Sequence, residues 1–300
     1  MIKDGVANKN IVAVTGGTGS IGRAIVEEML LNMPAIDSIR VISRDEAKHA
    51  KMNAEIYDSK VRYIIADVTS HRHMCRAFNN VDTVIHAAAM KRVETSEYNA
   101  AEVVRVNTYG TENVSDACIS CDVKKMLLVS TDKAVNPAGV MGESKSLAES
   151  IIADHRRGIG NRTKFYTVRL GNVLGSRGAV LELWDEQRKK GKILVTDPEA
   201  TRFFLSKGEA ARWILSVLDK EPGLHVPICK AARIGDLAKA YCELHACEMQ
   251  KTGMREGEKT HEEMLTKHEA SERNAKPEEY LSDKAVLMTV KELKDMLEAL

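Results

Sequence analysis

Short apolar runs alternate with segments of helical periodicity through the first half of the chain. Three segments carry apolar residues at helical spacing: Ile21–Leu31, Ala101–Cys118 and one from Gly142 to about Arg157. The apolar runs predict strands at Ile11–Thr15, Ser38–Ser43, Val61–Ala66, Asp82–His86, Lys125–Ser130 and Lys164–Leu170. This alternation is typical of an α/β fold in which helices cover both faces of a doubly wound parallel sheet.

The alternation ends after Leu170, where a glycine-rich stretch begins. Beyond it the spacing predicts helices at Ala179–Lys190, Lys207–Leu218, Ile234–His245 and Val290–Ala299. Residues 256–273 are dense in charge, which usually indicates a solvated helix or loop. We therefore expect residues 1–170 to form the sheet domain, with some later segments returning to it. Residues 171–300 should form mainly a smaller C-terminal lobe.

The charge balance excludes several classes of function. The 300 residues include 44 basic and 43 acidic ones, and a net charge of +1 disfavours a general binder of nucleic acid or membrane surfaces. No apolar run reaches the roughly 18 residues of a membrane-spanning helix, and the N-terminus lacks the apolar stretch of a secretory signal. Six cysteines are too few for a disulfide scaffold, so we expect a soluble, cytoplasmic protein.

Two pairs of cysteines raise the question of a metal site. Cys118 and Cys121 form a C-x-x-C, and Cys242 lies five residues before Cys247. Zinc would require both pairs to converge in tetrahedral geometry. Cys118 falls on the apolar face of a predicted helix, which favours buried thiols, and we expect no metal site.

A glycine motif stands between the first strand and the first helix. Gly16, Gly19 and Gly22 have the spacing G-x-x-G-x-x-G, which allows a sharp turn and lets a pyrophosphate approach the helix N-terminus. Strand, loop and helix together predict a dinucleotide site in a Rossmann-type sheet. The predicted phosphate loop consists of Gly16, Thr18, Gly19, Ser20, Ile21 and Gly22.

The end of the second strand selects the dinucleotide. Arg44 and Lys48 could bracket a 2′-phosphate while Ser43 donates a hydrogen bond, so NADP is favoured over NAD. Asp45 keeps NAD open, and the same residues could also start a helix. Further cofactor contacts are expected from residues that follow the third and fourth strands, namely Asp67, Val68, Ala87 and Ala88.

Candidate catalytic residues follow the fifth strand. Asp132 and Lys133 come where open parallel sheets bind their ligands, although a turn with two solvated charges is the alternative. Lys145 lies four positions after Met141, on the same face of a predicted helix.

The motifs resemble the extended short-chain dehydrogenase/reductase superfamily. More narrowly, they are similar to the inverting UDP-N-acetylglucosamine 4,6-dehydratases of the polysaccharide-biosynthesis type. The resemblance rests on the glycine loop and on HAAAMKRVE (86–94), STDKAVNP (130–137), MGESKSLAE (141–149), RLGNVLGSRG (169–178), TDPEATRFF (196–204) and REGEKTHEEML (255–265). It spans residues 11 to about 282 and implies an NADP-binding domain with a substrate-binding lobe.

The resemblance implies that a hydride passes from sugar carbon 4 to NADP and returns at carbon 6 after loss of water. Lys133 would be the base at carbon 5 and Asp132 the acid for the leaving hydroxyl. A lysine base needs a depressed pKa, which burial or a nearby cation such as Lys91 could provide. Most of the superfamily has Tyr where this chain has Met141, so the hydroxyl proton would fall to Lys133, Thr131 or an ordered water.

The remaining contacts follow from the same resemblance. Lys145 would bind the nicotinamide ribose, and Lys91 and Val173 would also contact the cofactor. The implied substrate residues are Lys91, Asn172, Arg177, Gly178, Ala179, Val180, Arg202, Arg255 and Tyr280, with the two arginines at 202 and 255 clamping the diphosphate. Related enzymes are commonly homo-oligomers, and a free soluble form is expected because the chain begins at the first strand.

Two alternatives remain open at this point. A 4-epimerase or reductase would use the same hydride step without elimination, and a silent dinucleotide-binding protein would not turn over. The Asp132-Lys133 pair favours the dehydratase, because an epimerase does not need an elimination acid and base.

Overall fold

The structure, a computed structural model, describes residues 9–176, 178, 180–253, 258–273 and 275–300. The strands are β1 (Ile11–Thr15), β2 (Ser38–Ser43), β3 (Val61–Ile65), β4 (Thr83–His86), β5 (Lys125–Thr131), β6 (Lys164–Leu170), β7 (Asn172–Val173), β8 (Lys192–Val195), β9 (Thr201–Leu205), β10 (Gly223–His225), β11 (Ala231–Arg233) and β12 (Glu248–Lys251). The helices are α1 (Ser20–Asn32), α2 (Glu46–Glu55), α3 (His71–Phe78), α4 (Val93–Glu97), α5 (Ala100–Val103), α6 (Gly110–Ser120), α7 (Val140–Arg157), α8 (Val180–Arg188), α9 (Lys207–Val217), α10 (Ile234–His245), α11 (Lys267–Glu272) and α12 (Val290–Glu298). A π-helical segment (Val104–Tyr109) and two 3₁₀ turns (Asp132–Ala134 and Pro277–Tyr280) complete the elements.

Seven parallel strands form the central sheet in the order β10-β6-β5-β4-β1-β2-β3. The order reverses at β1, where Thr15 pairs with Ile42 on one side and His86 on the other. Ligands of open parallel sheets bind at the carboxyl ends of the strands beside such a reversal. The predicted α/β, doubly wound fold is confirmed, and the six predicted strands agree with the structure to within one residue at each end.

Both faces of the sheet are buried. In β1, Val12 and Val14 belong to one hydrophobic cluster and Ala13 to the other, because successive strand side chains point to opposite faces. In β5 the same division separates Leu127 from Leu128. Helices α1 and α9 cover the first face, and α3, α6 and α7 cover the second. The sheet is therefore a rigid support for the loops at its carboxyl edge.

A smaller unit follows β6. Strands β11, β9 and β7 form one three-stranded sheet, β12 pairs with β8, and helices α8, α10 and α12 pack around Trp184 and Tyr241. Strand β10 returns to the edge of the central sheet beside β6. The short strands β8, β9, β11 and β12 were not predicted, because none has an apolar run long enough to distinguish it from a helix or loop.

The predicted helix Ala101–Cys118 is not regular: it is interrupted by the π-helical segment. The Asn107 side chain explains the interruption. Its Oδ1 accepts a hydrogen bond from the Met90 amide at 2.8 Å, and its Nδ2 donates to the Met90 carbonyl and to Ser144 Oγ, both at 2.9 Å. These contacts hold the helix to the segment after β4 and to α7, and π-turns often mark such functional positions.

The charged stretch 256–273 is not simply solvated, contrary to the sequence-based interpretation. Glu262, Met264 and Leu265 are buried, and α11 begins at Lys267 after a Thr266 capping box. The burial of these three residues could not be predicted from the charged stretch, because it depends on contacts with residues that are distant in sequence. Among the described residues, no helix has both the length and the apolarity required to cross a bilayer.

Candidate functional site

The shape of the glycine loop is set by the close approach of the segment that follows β4. Gly16 has a φ of +65°, and a Cβ at this position would lie 2.7 Å from the main chain of Ala88. Gly19 is the N-cap of α1 and has no side chain that could bond the first amides of the helix. The first helical hydrogen bond is donated by the Arg23 amide to the Gly19 carbonyl. The amides of the first turn of α1 are therefore oriented toward an anion, as a pyrophosphate requires. The residues present thus fit a dinucleotide.

The end of β2 confirms one of the two sequence interpretations of this stretch, the start of a helix, while the contact of Arg44 and Lys48 with a 2′-phosphate stays a prediction. Asp45 caps α2: its Oδ1 accepts the Lys48 amide at 3.0 Å and its Oδ2 lies 2.7 Å from Lys48 Nζ. Arg44 is half exposed and lies 3.6 Å from the Asp67 carboxylate. Ser43 Oγ receives a hydrogen bond from Thr18 at 3.0 Å. Asp45 is already bonded through both oxygens, and Lys48 lines one cavity together with Thr18 and Ser20 of the phosphate loop.

Asp67 and Val68 differ in accessibility. Burial raises the pKa of Asp67, but hydrogen bonds from Thr69 and the charges of Arg44 and Arg105 outweigh it and hold the pKa below its ordinary value. Asp67 is therefore an ionised acceptor beyond β3. Val68 is buried in the second hydrophobic cluster, so only its main chain is available to a cofactor.

His86 is a buried polar residue of this edge to which sequence analysis assigned no role. Its Nδ1 lies 2.6 Å from Thr15 Oγ1, and its Nε2 lies 3.2 Å from Thr111 Oγ1. Thr111 donates its hydroxyl proton to the Asn107 carbonyl, so Nε2 carries the imidazole proton and Nδ1 accepts from Thr15. Burial, with a contribution from the Lys145 charge, lowers the pKa of His86 to about 3. The imidazole is therefore neutral and links β1, β4 and α6.

Asp132 and Lys133 form the first 3₁₀ turn, directly after β5. The Asp132 side chain is fully buried, and its Oδ1 accepts hydrogen bonds from Thr131 Oγ1 at 2.8 Å and from Lys133 Nζ at 2.9 Å. Its Oδ2 has no donor among the described residues. Lys133 is 27% exposed and also donates to Asn172 Oδ1 at 3.3 Å. The alternative of a turn with two solvated charges is therefore wrong.

The pKa of Lys133 is shifted in the opposite direction to that expected. Burial lowers the pKa, but the negative charges of Asp132 and Glu262 and the hydrogen bond to Asp132 outweigh it, so the pKa lies above the ordinary lysine value. A depressed pKa was expected for Lys133 because the sequence does not reveal that these two carboxylates lie around its amine. Lys133 is therefore an ammonium ion in the resting protein.

Glu262 is a residue of this cluster that sequence analysis missed. Its Oε1 lies 3.6 Å from Lys133 Nζ and 3.6 Å from Arg202 Nε. The only available signal was the string KTHEEML, in which nothing distinguishes Glu262 from the adjacent Glu263.

Arg202 is engaged by main-chain carbonyls. Its Nη1 donates to Thr201 at 2.8 Å and to Thr260 at 3.0 Å, and its Nη2 donates to Lys259 at 2.7 Å. The diphosphate clamp implied for Arg202 requires this guanidinium to exchange these partners, so that role stays a prediction.

Helix α7 contributes Met141 and Lys145, both buried. Lys145 Nζ donates to the Val129 carbonyl at 2.7 Å, and burial lowers its pKa to about 8 although Glu149 raises it. The helix approaches the 3₁₀ turn Asp132–Ala134 at Gly142, where any Cβ would collide with the Lys133 carbonyl. Met141 therefore lies beside this turn but supplies no exchangeable proton.

The other implied substrate residues are less closely grouped. Of these, Asn172 lies at Lys133, whose Nζ donates to the Asn172 Oδ1 at 3.3 Å. The Gly178 amide donates to Glu182 at 2.6 Å at the start of α8, where Val180 follows, and Lys91 is exposed beyond β4. Val173 and Tyr280 pack against the first hydrophobic cluster. Arg177, Ala179 and Arg255 lie outside the described residues.

No group of three or more metal-ligating side chains occurs in the part of the chain that the structure describes. The cysteines that are described are free thiols, with Cys118 fully buried in the second hydrophobic cluster.

Comparison with known proteins identifies close relatives. Residues 12–284 match the family described as Polysaccharide biosynthesis protein. A Methanocaldococcus jannaschii protein described as an uncharacterized membrane protein is 40% identical, with 86% of this chain and 81% of that one covered. The inverting UDP-N-acetylglucosamine 4,6-dehydratase of Campylobacter jejuni is 36% identical, with coverages of 86% and 78%. A Rickettsia canadensis protein named UDP-glucose 4-epimerase is 37% identical, with coverages of 84% and 76%.

Solved structures share the fold. Pen from Bacillus thuringiensis has a TM-score of 0.92 at 30% identity and covers 97% of this chain and 98% of its own. The dTDP-glucose 4,6-dehydratase DesIV of Streptomyces venezuelae, solved with NAD bound, has a TM-score of 0.77 at 18% identity and covers 96% of each chain. The chain therefore belongs to the polysaccharide biosynthesis protein family and is an enzyme of the nucleotide-sugar dehydratase and epimerase group, built on the short-chain dehydrogenase/reductase fold.

Proposed function

We propose that this enzyme is an NADP-dependent UDP-N-acetylglucosamine 4,6-dehydratase that inverts carbon 5. The observation that supports this most directly is the buried Asp132 carboxyl group hydrogen-bonded to Lys133 at the carboxyl end of β5. An elimination needs an acid and a base close together, whereas a 4-epimerase returns the hydride to the carbon from which it came. The identity to inverting dehydratases supports the same choice.

NADP is proposed because of the side chains at the end of β2. Lys48 lines one cavity with Thr18 and Ser20 of the phosphate loop, and Arg44 directly follows Ser43, which is bonded to Thr18. Asp45, the residue that would favour NAD, is bonded to Lys48 through both oxygens. When bound, NADP supplies a transient hydride acceptor for sugar carbon 4 and a hydride donor for carbon 6.

The Asp132–Lys133 pair can provide acid and base together. Asp132 becomes a carboxylic acid when it receives the carbon 4 hydroxyl proton, and Lys133, which is 27% exposed, becomes a neutral amine when it releases one proton to solvent. The amine then takes the carbon 5 proton, which a 4-keto group acidifies, and Asp132 protonates the carbon 6 hydroxyl, which leaves as water. When carbon 6 regains the hydride, carbon 5 takes one proton from solvent in place of the one that Lys133 released. The pair then ends as ammonium and carboxylate, so the protons balance.

The carbon 4 hydroxyl needs a proton acceptor other than Met141. Thr131 Oγ1 donates to Asp132 Oδ1 at 2.8 Å, so its hydroxyl can accept the substrate proton while its own proton passes to the carboxylate. Thr131 is therefore proposed as the relay that replaces the usual tyrosine.

A second candidate is a UDP-sugar 4-epimerase, which is favoured by the relatives that carry the name UDP-glucose 4-epimerase at 37% identity. That activity would leave the carbon 6 hydroxyl in place and would not depend on Asp132 as an acid.

Proton NMR of UDP-N-acetylglucosamine with the purified enzyme and NADP in deuterated buffer separates these functions. A dehydratase that inverts gives a carbon 6 methyl signal, deuterium at carbon 5 and L-arabino couplings. Asp132→Asn and Lys133→Met should each lower the rate of methyl formation by at least about 100-fold. Lys189→Met, at an exposed position just after α8, is the control and should retain the rate. Formation of the 4-epimer without a methyl signal would establish the second candidate instead.

A further inference from the structure

Glu262 is buried beside the proposed catalytic pair. Its side chain is 4% exposed, and its Oε1 lies 3.6 Å from Lys133 Nζ. The segment that carries it comes from the charged stretch after β12, more than a hundred residues from Lys133 in sequence. The fold therefore brings a second carboxylate to the same amine.

The main chain around Glu262 is firmly held. Its amide donates to Ser282 Oγ at 2.8 Å, and its carbonyl accepts from the Ser282 amide at 2.9 Å. Three residues before Glu262, Lys259 Nζ donates to the Val135 carbonyl at 2.7 Å. Val135 directly follows the 3₁₀ turn Asp132–Ala134, which is the proposed catalytic turn. These contacts fix the position of the carboxylate without using its oxygen atoms.

A purely structural ion pair does not account for the Glu262 carboxylate. Its Oε2 is buried and has no donor in the part of the chain that the structure describes. A buried acceptor without a partner costs stability, and such groups deserve a functional explanation. Arg202, the other nearby cation, already has three main-chain acceptors and does not depend on Glu262 for its position.

We propose that Glu262 is a positioning residue of the active site, which holds the Lys133 ammonium beside Asp132 and sets the pH at which this amine becomes a base. The ammonium has three N–H donors, and the three acceptors around it are Asp132 at 2.9 Å, Asn172 at 3.3 Å and Glu262 at 3.6 Å. This role rests on the proposed dehydratase function.

The charged groups around Lys133 come from three elements. Asp132 faces it from its own turn, Glu262 from the segment before α11, and the Arg202 cation from β9. The two carboxylates raise the pKa of Lys133 and Arg202 lowers it.

Helix α7 packs against the catalytic turn and carries two further charged groups near its start. Glu143 is exposed, and the Lys145 amine is bonded to the Val129 carbonyl. The carboxylate that can be removed without altering the proposed acid is therefore that of Glu262.

The variant Glu262→Gln keeps the size of the side chain and removes its charge. Lys133 should then lose its proton more readily, so the rising limb of the kcat–pH profile for methyl formation should move about one to three pH units toward acid. The KM for UDP-N-acetylglucosamine should change less than about threefold, because Glu262 acts through Lys133. Glu262→Asp, which keeps the charge, should restore most of the wild-type profile.

Glu263→Gln is the matched control. The Glu263 carboxylate accepts from Asn136 Nδ2 at 2.9 Å and contacts neither Lys133 nor Arg202 among the described residues. Its profile should coincide with that of the wild type.

A direct measurement separates this inference from the proposed function. Only a neutral amine is acylated, so the pH dependence of Lys133 acylation, followed by peptide mass spectrometry, reports its ionisation without turnover. The midpoint for Lys133 should move toward acid in Glu262→Gln and not in Glu263→Gln, with exposed Lys189 as the internal standard. If the acylation midpoint moves but wild type forms no methyl sugar, the dehydratase proposal fails while the coupling of Glu262 to Lys133 stands. If neither the midpoint nor the rate profile moves, or only KM rises, the positioning role is refuted.

Discussion

Lys145 Nζ donates a hydrogen bond to the main-chain carbonyl of Val129 at 2.7 Å, which ties α7 to the carboxyl half of β5. The amine is almost completely buried, and burial lowers its pKa from 10.5 to about 8. Lys145, to which the family resemblance assigns a contact with the nicotinamide ribose, therefore also affects the stability of the fold.

The lowered pKa of Lys145 predicts a pH-dependent stability. Between about pH 8 and 10.5 the unfolded chain holds a proton on Lys145 that the folded chain has released, so the free energy of unfolding rises with pH. This gain amounts to about 3 kcal/mol by pH 10.5, because the cost of burying a charged amine, which acts in full below pH 8, is then removed. Urea titrations of wild type and Lys145→Met across this range should show a stability difference that increases in favour of wild type. A difference that stays constant with pH would contradict the assignment.

Arg169 should be a major determinant of stability. It is buried, with Glu149 at 2.7 Å and Glu269 at 2.8 Å, and it also donates to the Met264 carbonyl at 3.0 Å. Arg169→Met leaves two partly buried carboxylates without their cation and should cost about 3 kcal/mol in urea unfolding. Glu149→Gln with Glu269→Gln, added to Arg169→Met, should recover part of the loss. No recovery would show that packing dominates over charge.

The preference for NADP can be tested at Arg44 and Lys48. Replacing both with alanine should raise the NADP dissociation constant by about tenfold or more, because two cations beside the 2′-phosphate are lost. Binding of NAD, which lacks that phosphate, should change less than about threefold by calorimetry. Lys60→Ala, at the amino end of β3, is the control and should affect neither. Equal weakening of both dinucleotides would contradict the proposed role.

Conservative substitution should leave the rate of methyl formation nearly unchanged at Met141 and should lower it strongly at Thr131. Met141→Leu conserves volume and removes no exchangeable proton, so the rate of methyl formation should stay within about threefold of wild type. Thr131→Val removes the hydroxyl bonded to Asp132 and should lower kcat by about 100-fold or more. NMR progress curves give both rates. If the methionine variant loses as much activity as the threonine variant, Thr131 is not the relay.

The features that were predicted correctly are those that depend on residues close together in the sequence. Strand β1, the glycines of the phosphate loop and the Asp132-Lys133 turn are each encoded within a few neighbouring residues, and the structure has them where they were expected. The start of α2 at Asp45 was one of two interpretations of that stretch and is confirmed, while the binding of a 2′-phosphate by Arg44 and Lys48 stays a prediction.

What escaped prediction depends on distant contacts. Glu262 matters because it lies beside Lys133, and Arg169 matters because it is paired with Glu149 and Glu269. The periodicity of the sequence does not reveal these partners. The direction of the Lys133 pKa shift was mistaken for the same reason, since a pKa depends on neighbours in space.

The π-helical segment Val104–Tyr109 has a consequence for how this gene can change. A π-turn bonds each amide to the fifth residue before it instead of the fourth, so it contains one residue more than the α-helix around it. That extra residue rotates α6 by about 100° relative to α5, which lets α6 pack on α3 while Asn107 reaches Met90 and Ser144. Deleting one codon here would restore a regular helix and turn Asn107 away from both partners. A point mutation leaves the number of residues, and hence the rotation, as it is.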